Sequence, residues 1–380
     1  MTNSFLLCVQ GEGRGHLSQA LAVYELLESQ GHQICAVIVG STGSRELPDY
    51  FLQKIKAPLF RITSPNFVND KNGKGIHLGK TILHCIKQLG AFRKSLATIR
   101  SVIQNYKPDA VINFYEVMAG LYFRLNHPAL PLISIAHQYI YFHPEFIFPA
   151  GKWLDRFFLK TYTSLTTSRQ ATNLALSFYR LDKASSKAKV LPPLLRKELF
   201  NTTIESGDHY LVYLVNKGYF EEVLNWHYDH PDQIIHCFTD MANTLKYQYA
   251  YNPEVLHLHE PSDTLFLELM RTAKGLATTA GFESVCEAMY FGKPVLMVPI
   301  GGHFEQFCNS RDAVRAGAGV YAETFDINKL EAIATLSSSH HSWFKNWTDS
   351  SRTAIMLEIE IALSTHPSKQ PSTTISFNEL

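Results

Sequence analysis

Two separate stretches carry residue types at spacings suited to phosphate and sugar chemistry. The first is Thr278 to Gln306, TTAGFESVCEAMYFGKPVLMVPIGGHFEQ. Gly281 allows a turn that a side chain would obstruct, and Phe282 to Phe291 has helical composition. Backbone N–H groups opening that helix would face a phosphate. Ser284 adds a hydroxyl donor, and Glu287, three residues on along the same face, can take two hydroxyls of a ribose. Gln306 offers an amide to a sugar. The implied ligand is anionic and rich in hydroxyls.

The second stretch is Gln10 to His16, QGEGRGH. Arg14 is either a phosphate contact or an ordinary loop arginine. His16 falls in the first turn of a helix beside a Gly-rich loop. The helix dipole there disfavours imidazolium, leaving a neutral base at pH 7. The competing reading is a capping or packing histidine.

Apolar runs of strand length must position these residues. Phe5 to Val9, Ile34 to Val39, Ala110 to Phe114 and Pro131 to Ala136 read as strands of a first unit. Tyr115-Glu116 and His137-Gln138 stand at two strand ends, so Glu116 and His137 either orient an acceptor hydroxyl, support His16, or are satisfied rim residues. Tyr210 to Val215, Ile234 to Phe238, Val255 to Leu258, Leu276 to Thr279 and Val295 to Ile300 read as strands of a second unit. Asn216 and Lys217 follow its first strand and are candidate phosphate or ribose contacts. Continuous apolar strands signal parallel sheets covered on both faces, with ligands at the carboxyl edge. Ser164 to Ser168 reads as a strand, 170–179 as a helix, 307–316 as a helix after a polar loop, and 41–75 as irregular.

A chain of 380 residues predicts two domains. A formal net charge of +1 argues against a general nucleic-acid binder. The cysteines lie singly with no C-x-x-C, which suits reduced core thiols in the cytoplasm. The start MTNSFLLCVQGEG reads as a first strand rather than a signal peptide, and no apolar stretch reaches transmembrane length. The opening is not a dinucleotide fingerprint: the third glycine is replaced by His16, and the second strand ends in Gly40-Ser41-Thr42 with no carboxylate. His257-x-His259-Glu260 shares a strand face but lacks a third ligand, and no D-x-D stands in a sheet context. No metal or other cofactor is therefore expected.

G-x-x-S-x-x-E at Gly281, Ser284 and Glu287, followed by Glu305-Gln306, resembles the donor region of inverting GT-B glycosyltransferases of the MurG and UDP-glycosyltransferase types. G-E-G-R-G-H-L resembles their loop bearing the catalytic histidine. The resemblance implies an α/β GT-B fold, with two Rossmann-like domains facing across a cleft and a C-terminal helix crossing back. It implies His16 as base, beside Arg14 and Gly15. The implied donor surface comprises Thr279, Ala280, Gly281, Phe282, Ser284 and Glu287, with His303, Phe304, Glu305 and Gln306 near the sugar. Leu258 and His259 would meet the base of the nucleotide. Thr279 stands where plant-type enzymes carry His, and Glu283 where they carry Asn; a Glu beside a diphosphate is unfavourable unless it points away. Counting eight back from Glu287 lands on Thr279 rather than the Glu of some retaining enzymes, which favours inversion.

The expected organisation is an acceptor domain over 1–190, a linker over 191–207, a nucleotide-sugar domain over 208–345, a helix over 346–365 and a disordered tail over 366–380. The expected partners are a nucleoside-diphosphate sugar, UDP-linked by resemblance, and a hydroxyl acceptor such as a lipid or glycan. Lys80, Lys87, Arg93, Lys94 and Arg100 make 76–106 basic, which suits either a solvated helix face or peripheral contact with the cytoplasmic side of a membrane. The aromatic run 139–160 suits either a hydrophobic acceptor wall or core packing. A nucleotide-sugar 2-epimerase and a non-catalytic nucleotide-sugar-binding protein are the alternatives.

Overall fold

The computed structural model describes residues 2–42, 46–65, 86–200, 202–205, 207–214, 217–239, 244, 247, 251–333 and 338–366. Asn216, the Lys217 side chain, Lys80, the middle of the 41–106 region and the tail beyond His366 lie outside them. β1 (Ser4–Gln10), β2 (Gln33–Ser41), β3 (Leu59–Thr63), β4 (Ala110–Phe114), β5 (Leu132–Ala136), β6 (Thr172–Leu176) and β7 (Lys189–Leu191) form a first sheet. Its order is β3-β2-β1-β4-β5-β6-β7, all parallel. β8 (His209–Tyr213), β9 (Ile234–Phe238), β10 (Leu256–His259), β11 (Gly275–Thr278), β12 (Val295–Met297) and β13 (Gly319–Tyr321) form a second. Its order is β10-β9-β8-β11-β12-β13, also all parallel.

The unbroken apolar runs explain the parallel sheets. Phe5 through Val9 are fully buried, so this strand is covered on both faces. In each sheet the first strand lies between the second and the fourth. The chain therefore leaves these neighbouring strands in opposite directions, opening a crevice at the carboxyl edge. The loops after β1 and β4 carry His16 and Tyr115 to one such crevice. The loop after β11 carries Gly281 to the other.

Three local expectations are corrected. Residues 164–168 and 170–179 are not strand then helix: a helix runs Trp153–Leu165, and β6 follows. Aromatics in the 153–165 segment recur at helical spacing and Asp155 suits a first turn, whereas TNLAL fills a slot between β5 and β7. The 41–75 region contains a helix at Asp49–Lys54 and the edge strand β3. The polar segment around Glu305 is already helical, because a helix spans Phe304–Arg315 with His303 as its cap.

The C-terminal helices Ser338–Asp349 and Ser351–Thr365 return to the first sheet. Trp347 Nε1 donates to Ser177 O at 3.2 Å, and Lys189 pairs with Glu358. Ile355 and Ile359 join the core that also holds Leu191.

Candidate active site

The helix Arg14–Ser29 starts directly after the Gly loop because Gly13 is extended at its cap. Its first turn places His16 in a cleft between the sheets, and the helix Phe282–Tyr290 faces it from the other side. The cleft has a volume of about 2050 Å³, open mouth included. Neither helix start is capped by a side chain. Two positive dipole ends and their free N–H groups thus converge on one space, an arrangement that attracts an anion.

His16 is half-buried against the face of Tyr115, ring centroids 5.3 Å apart and 22° from parallel. Burial pushes its pKa down to about 4, with Gln19 close enough to resist the shift. Its Nδ1 lacks a well-formed hydrogen bond among the described residues. Tyr115 reaches it through a left-handed backbone, φ 61°, which is strained for a bulky residue. Its hydroxyl lies 2.8 Å from Thr163 Oγ1.

His137 also lines the cleft, stacked on Phe282 at 4.0 Å. Its Nδ1 lies 2.7 Å from Leu176 O, so Nδ1 donates and Nε2 is left as a buried acceptor. Burial pushes this histidine, too, down to about 4. Glu116 does not line the cleft. It is fully buried, its Oε1 accepting from Ser64 Oγ at 2.6 Å and from Met118 N at 2.9 Å. Of the readings left open for it, Glu116 takes the satisfied one: its carboxylate caps the helix Val117–Asn126.

On the donor side, Gly281, Phe282, Ser284, Glu287, His303, Glu305 and Gln306 all line the cleft. Gly281 does not make the turn. Its φ is −69°, and a Cβ there would meet nothing nearer than Ser284 Oγ at 3.6 Å. The left-handed residue is Ala280, φ 61°, buried behind the loop together with Thr279. Glycine at 281 is thus not required by packing; the space it leaves faces the cleft. Glu287 is not free: its Oε1 accepts from Arg196 Nε at 2.7 Å and Nη2 at 2.6 Å. Gln306 turns its Oε1 to Ile300 N at 2.9 Å, keeping its amide NH₂ for other partners.

Phe304, Leu258 and His259 do not line the cleft. Phe304 stacks on Phe148 of the first sheet's cluster at 6.5 Å. His259 Nε2 lies 2.9 Å from His236 Nδ1, and its carbonyl accepts from Thr239 N. Phe238 and Pro261 occupy the cleft wall instead, because β10 is the edge strand. The aromatic run 139–160 is also divided: Tyr139, Tyr141 and Phe146 are core.

Four cross-cleft contacts were not legible in the sequence. Gln19 donates to Glu283, Gln138 Nε2 donates to Glu305 Oε1 at 2.8 Å, Arg14 Nη1 reaches Pro261 O at 3.5 Å, and Tyr141 OH donates to Asn309 Oδ1 at 3.2 Å. Glu283 therefore points toward the first sheet, where a Cβ on Gly15 would meet its Cγ at 2.9 Å. Burial pushes its carboxyl up to about 8, against the pull of Gln19. The carboxyl is neutral at pH 7, which removes the objection to a Glu beside phosphates. Among the described residues no three His, Cys, Asp or Glu side chains converge as metal ligands.

The chain matches the family model described as glycosyl transferase family 1 over residues 3–338. No curated protein matches it. Its fold is similar to three solved structures over nearly the whole of each chain. The glycotransferase of kitacinnamycin is 15% identical, with TM-score 0.66, covering 96% of this chain and 100% of that one. LpCGTa in complex with UDP is 11% identical, with TM-score 0.60 and coverage 96% and 99%. The spinosyn rhamnosyltransferase SpnG complexed with thymidine diphosphate is 13% identical, with TM-score 0.57 and coverage 94% and 100%. At these identities the likeness concerns the fold, a GT-B arrangement of two Rossmann-like domains.

Proposed function

The chain belongs to glycosyl transferase family 1, and from that premise we propose that it moves a sugar from a nucleoside diphosphate, UDP in our reading, to an acceptor hydroxyl with inversion. The observation that carries this reading is a neutral, half-buried His16 facing the uncapped start of the Phe282–Tyr290 helix across one cleft. His16 takes the acceptor proton as the hydroxyl oxygen attacks the anomeric carbon. The bond from that carbon to the diphosphate oxygen breaks, and the N–H groups of Phe282, Glu283 and Ser284 receive the developing charge. Charge stabilisation in this reading comes from the helix amides and Arg14. Glu287, held by Arg196, presents its other oxygen to the ribose, and Glu305 with the Gln306 amide faces the sugar. The nucleotides bound to LpCGTa and SpnG support a nucleoside diphosphate as the shared donor element. The five described cysteines are free and buried, in keeping with a reducing, cytoplasmic setting.

One observation favours a second reading. Glu12, Glu283 and Glu305 line the same cleft, and a nucleotide-sugar 2-epimerase needs such acid and base carboxylates. Proton NMR of a UDP-sugar incubated with and without a hydroxyl acceptor separates the two. Transfer with the opposite anomeric configuration supports our reading; a 2-epimer formed without acceptor contradicts it.

A further inference from the structure

The helix Trp153–Leu165 buries only Thr163 among its residues. Trp153 is 72% exposed, Leu154 49%, Phe157 59% and Phe158 45%, and nearby Ile147 is 58% exposed. So many large apolar side chains on one surface patch mark an interaction site. Cations rim it. Lys152 and Arg156 are exposed and Lys160 half-buried, with Asp155 the one carboxylate among residues 152–160. The Arg156 guanidinium sits 4.5 Å from the Phe148 ring centroid and Lys160 Nζ 5.9 Å from it. The patch also has a direction. Leu154, Phe158 and Tyr162 are four residues apart, hence on one helical face. Tyr162 lines the cleft and meets the ring of Tyr115, on which His16 stacks.

We propose that this surface docks on an anionic lipid bilayer, and that the acceptor is a lipid-borne hydroxyl compound entering along Leu154, Phe158 and Tyr162. The second half of this proposal rests on the reading of His16 as base. Tryptophan and phenylalanine flanked by lysine and arginine match an acyl boundary beneath anionic head groups. A second copy of the chain fits less well, because a two-fold contact would bring the cationic rims of the two copies together. No described helix is long and apolar enough to cross a membrane, and lying on the surface requires none. The proposal places the docking face on the aromatic helix beside the cleft.

Sedimentation with vesicles of phosphatidylglycerol and phosphatidylcholine tests the proposal, with pure phosphatidylcholine as comparison. The full chain is expected to sediment with the anionic vesicles and to release with salt. Brominated lipid is expected to quench tryptophan fluorescence, and Trp153→Phe to remove most of that quenching. The double variant Trp153→Asp with Phe157→Asp should lose about tenfold in vesicle affinity while keeping its melting temperature and its thermal shift with UDP. The proposal is overturned if the unmodified chain stays in the supernatant at low salt, or if the double variant binds vesicles equally well. It is also overturned if the patch instead forms a dimer that the double variant dissolves. Absence of a UDP shift in the unmodified chain would count against the site reading alone, leaving the vesicle result to stand by itself.

Discussion

A histidine that serves as a base at neutral pH has to be kept from picking up a proton beforehand. In the reaction we propose, His16 achieves this through partial burial against Tyr115 beside the positive end of its own helix, not through a carboxylate partner. Its depressed pKa, about 4, means that the neutral form predominates above that pH. Glu283 runs the other way: pushed up to about 8, it is uncharged at pH 7 and ionises above. The rate at low donor concentration should therefore rise through about pH 4, rather than through the ordinary histidine value near 6.5, and fall again above about pH 8. Glu283→Gln keeps an acceptor oxygen for Gln19 and cannot ionise, so the alkaline limb should vanish from its profile. An unchanged alkaline limb would show that Glu283 does not face the phosphates. His16 was legible from the sequence, since a histidine opening a helix after a Gly loop is a local pattern. The support of His16 was not: Glu116 stands next to Tyr115 in the chain, but the strained backbone at Tyr115 sends the two side chains to different neighbours.

At the scale of elements, the two helix starts are the device, and each depends on a small residue. Gly15 lets the Arg14–Ser29 helix approach Glu283, where a Cβ would have to displace that side chain. Gly281 is spared any such clash from the protein itself. Gly281→Ala should accordingly fold with a normal melting temperature yet bind a nucleoside diphosphate about tenfold more weakly in calorimetry, because the methyl group stands over the helix amides. Equal affinity would mean that the diphosphate does not approach this turn. Most strands and the helices flanking them were legible because apolar runs and Gly-Pro stops are local signals, but the short strands β3, β6 and β7 were not. The Trp153–Leu165 helix was not, because its apolar face has no core to match and its aromatic composition reads equally well as a wall. Nor was Ala280 as the left-handed residue, since glycine beside it is the commoner choice.

For the whole molecule, each domain contributes half of the site. His16, Gln19, Arg14 and Gln138 come from the first sheet's side, and Glu283, Pro261 and Glu305 from the second's. Arg196, between the sheets, holds Glu287 and lies 3.7 Å from Asp263. These partners are so distant along the chain that no periodicity could pair them, which is why the two-domain fold was readable and its closure was not. On the proposed reading, donor binding belongs to one domain and proton removal to the other, so the two can be separated by mutation. The most direct measurement is turnover of a UDP-sugar by purified His16→Ala beside its thermal shift with UDP. Retained UDP stabilisation with turnover lowered by roughly 10²–10⁴ is the expected result. Unchanged turnover, or stabilisation by NAD and by no nucleoside diphosphate, would contradict it.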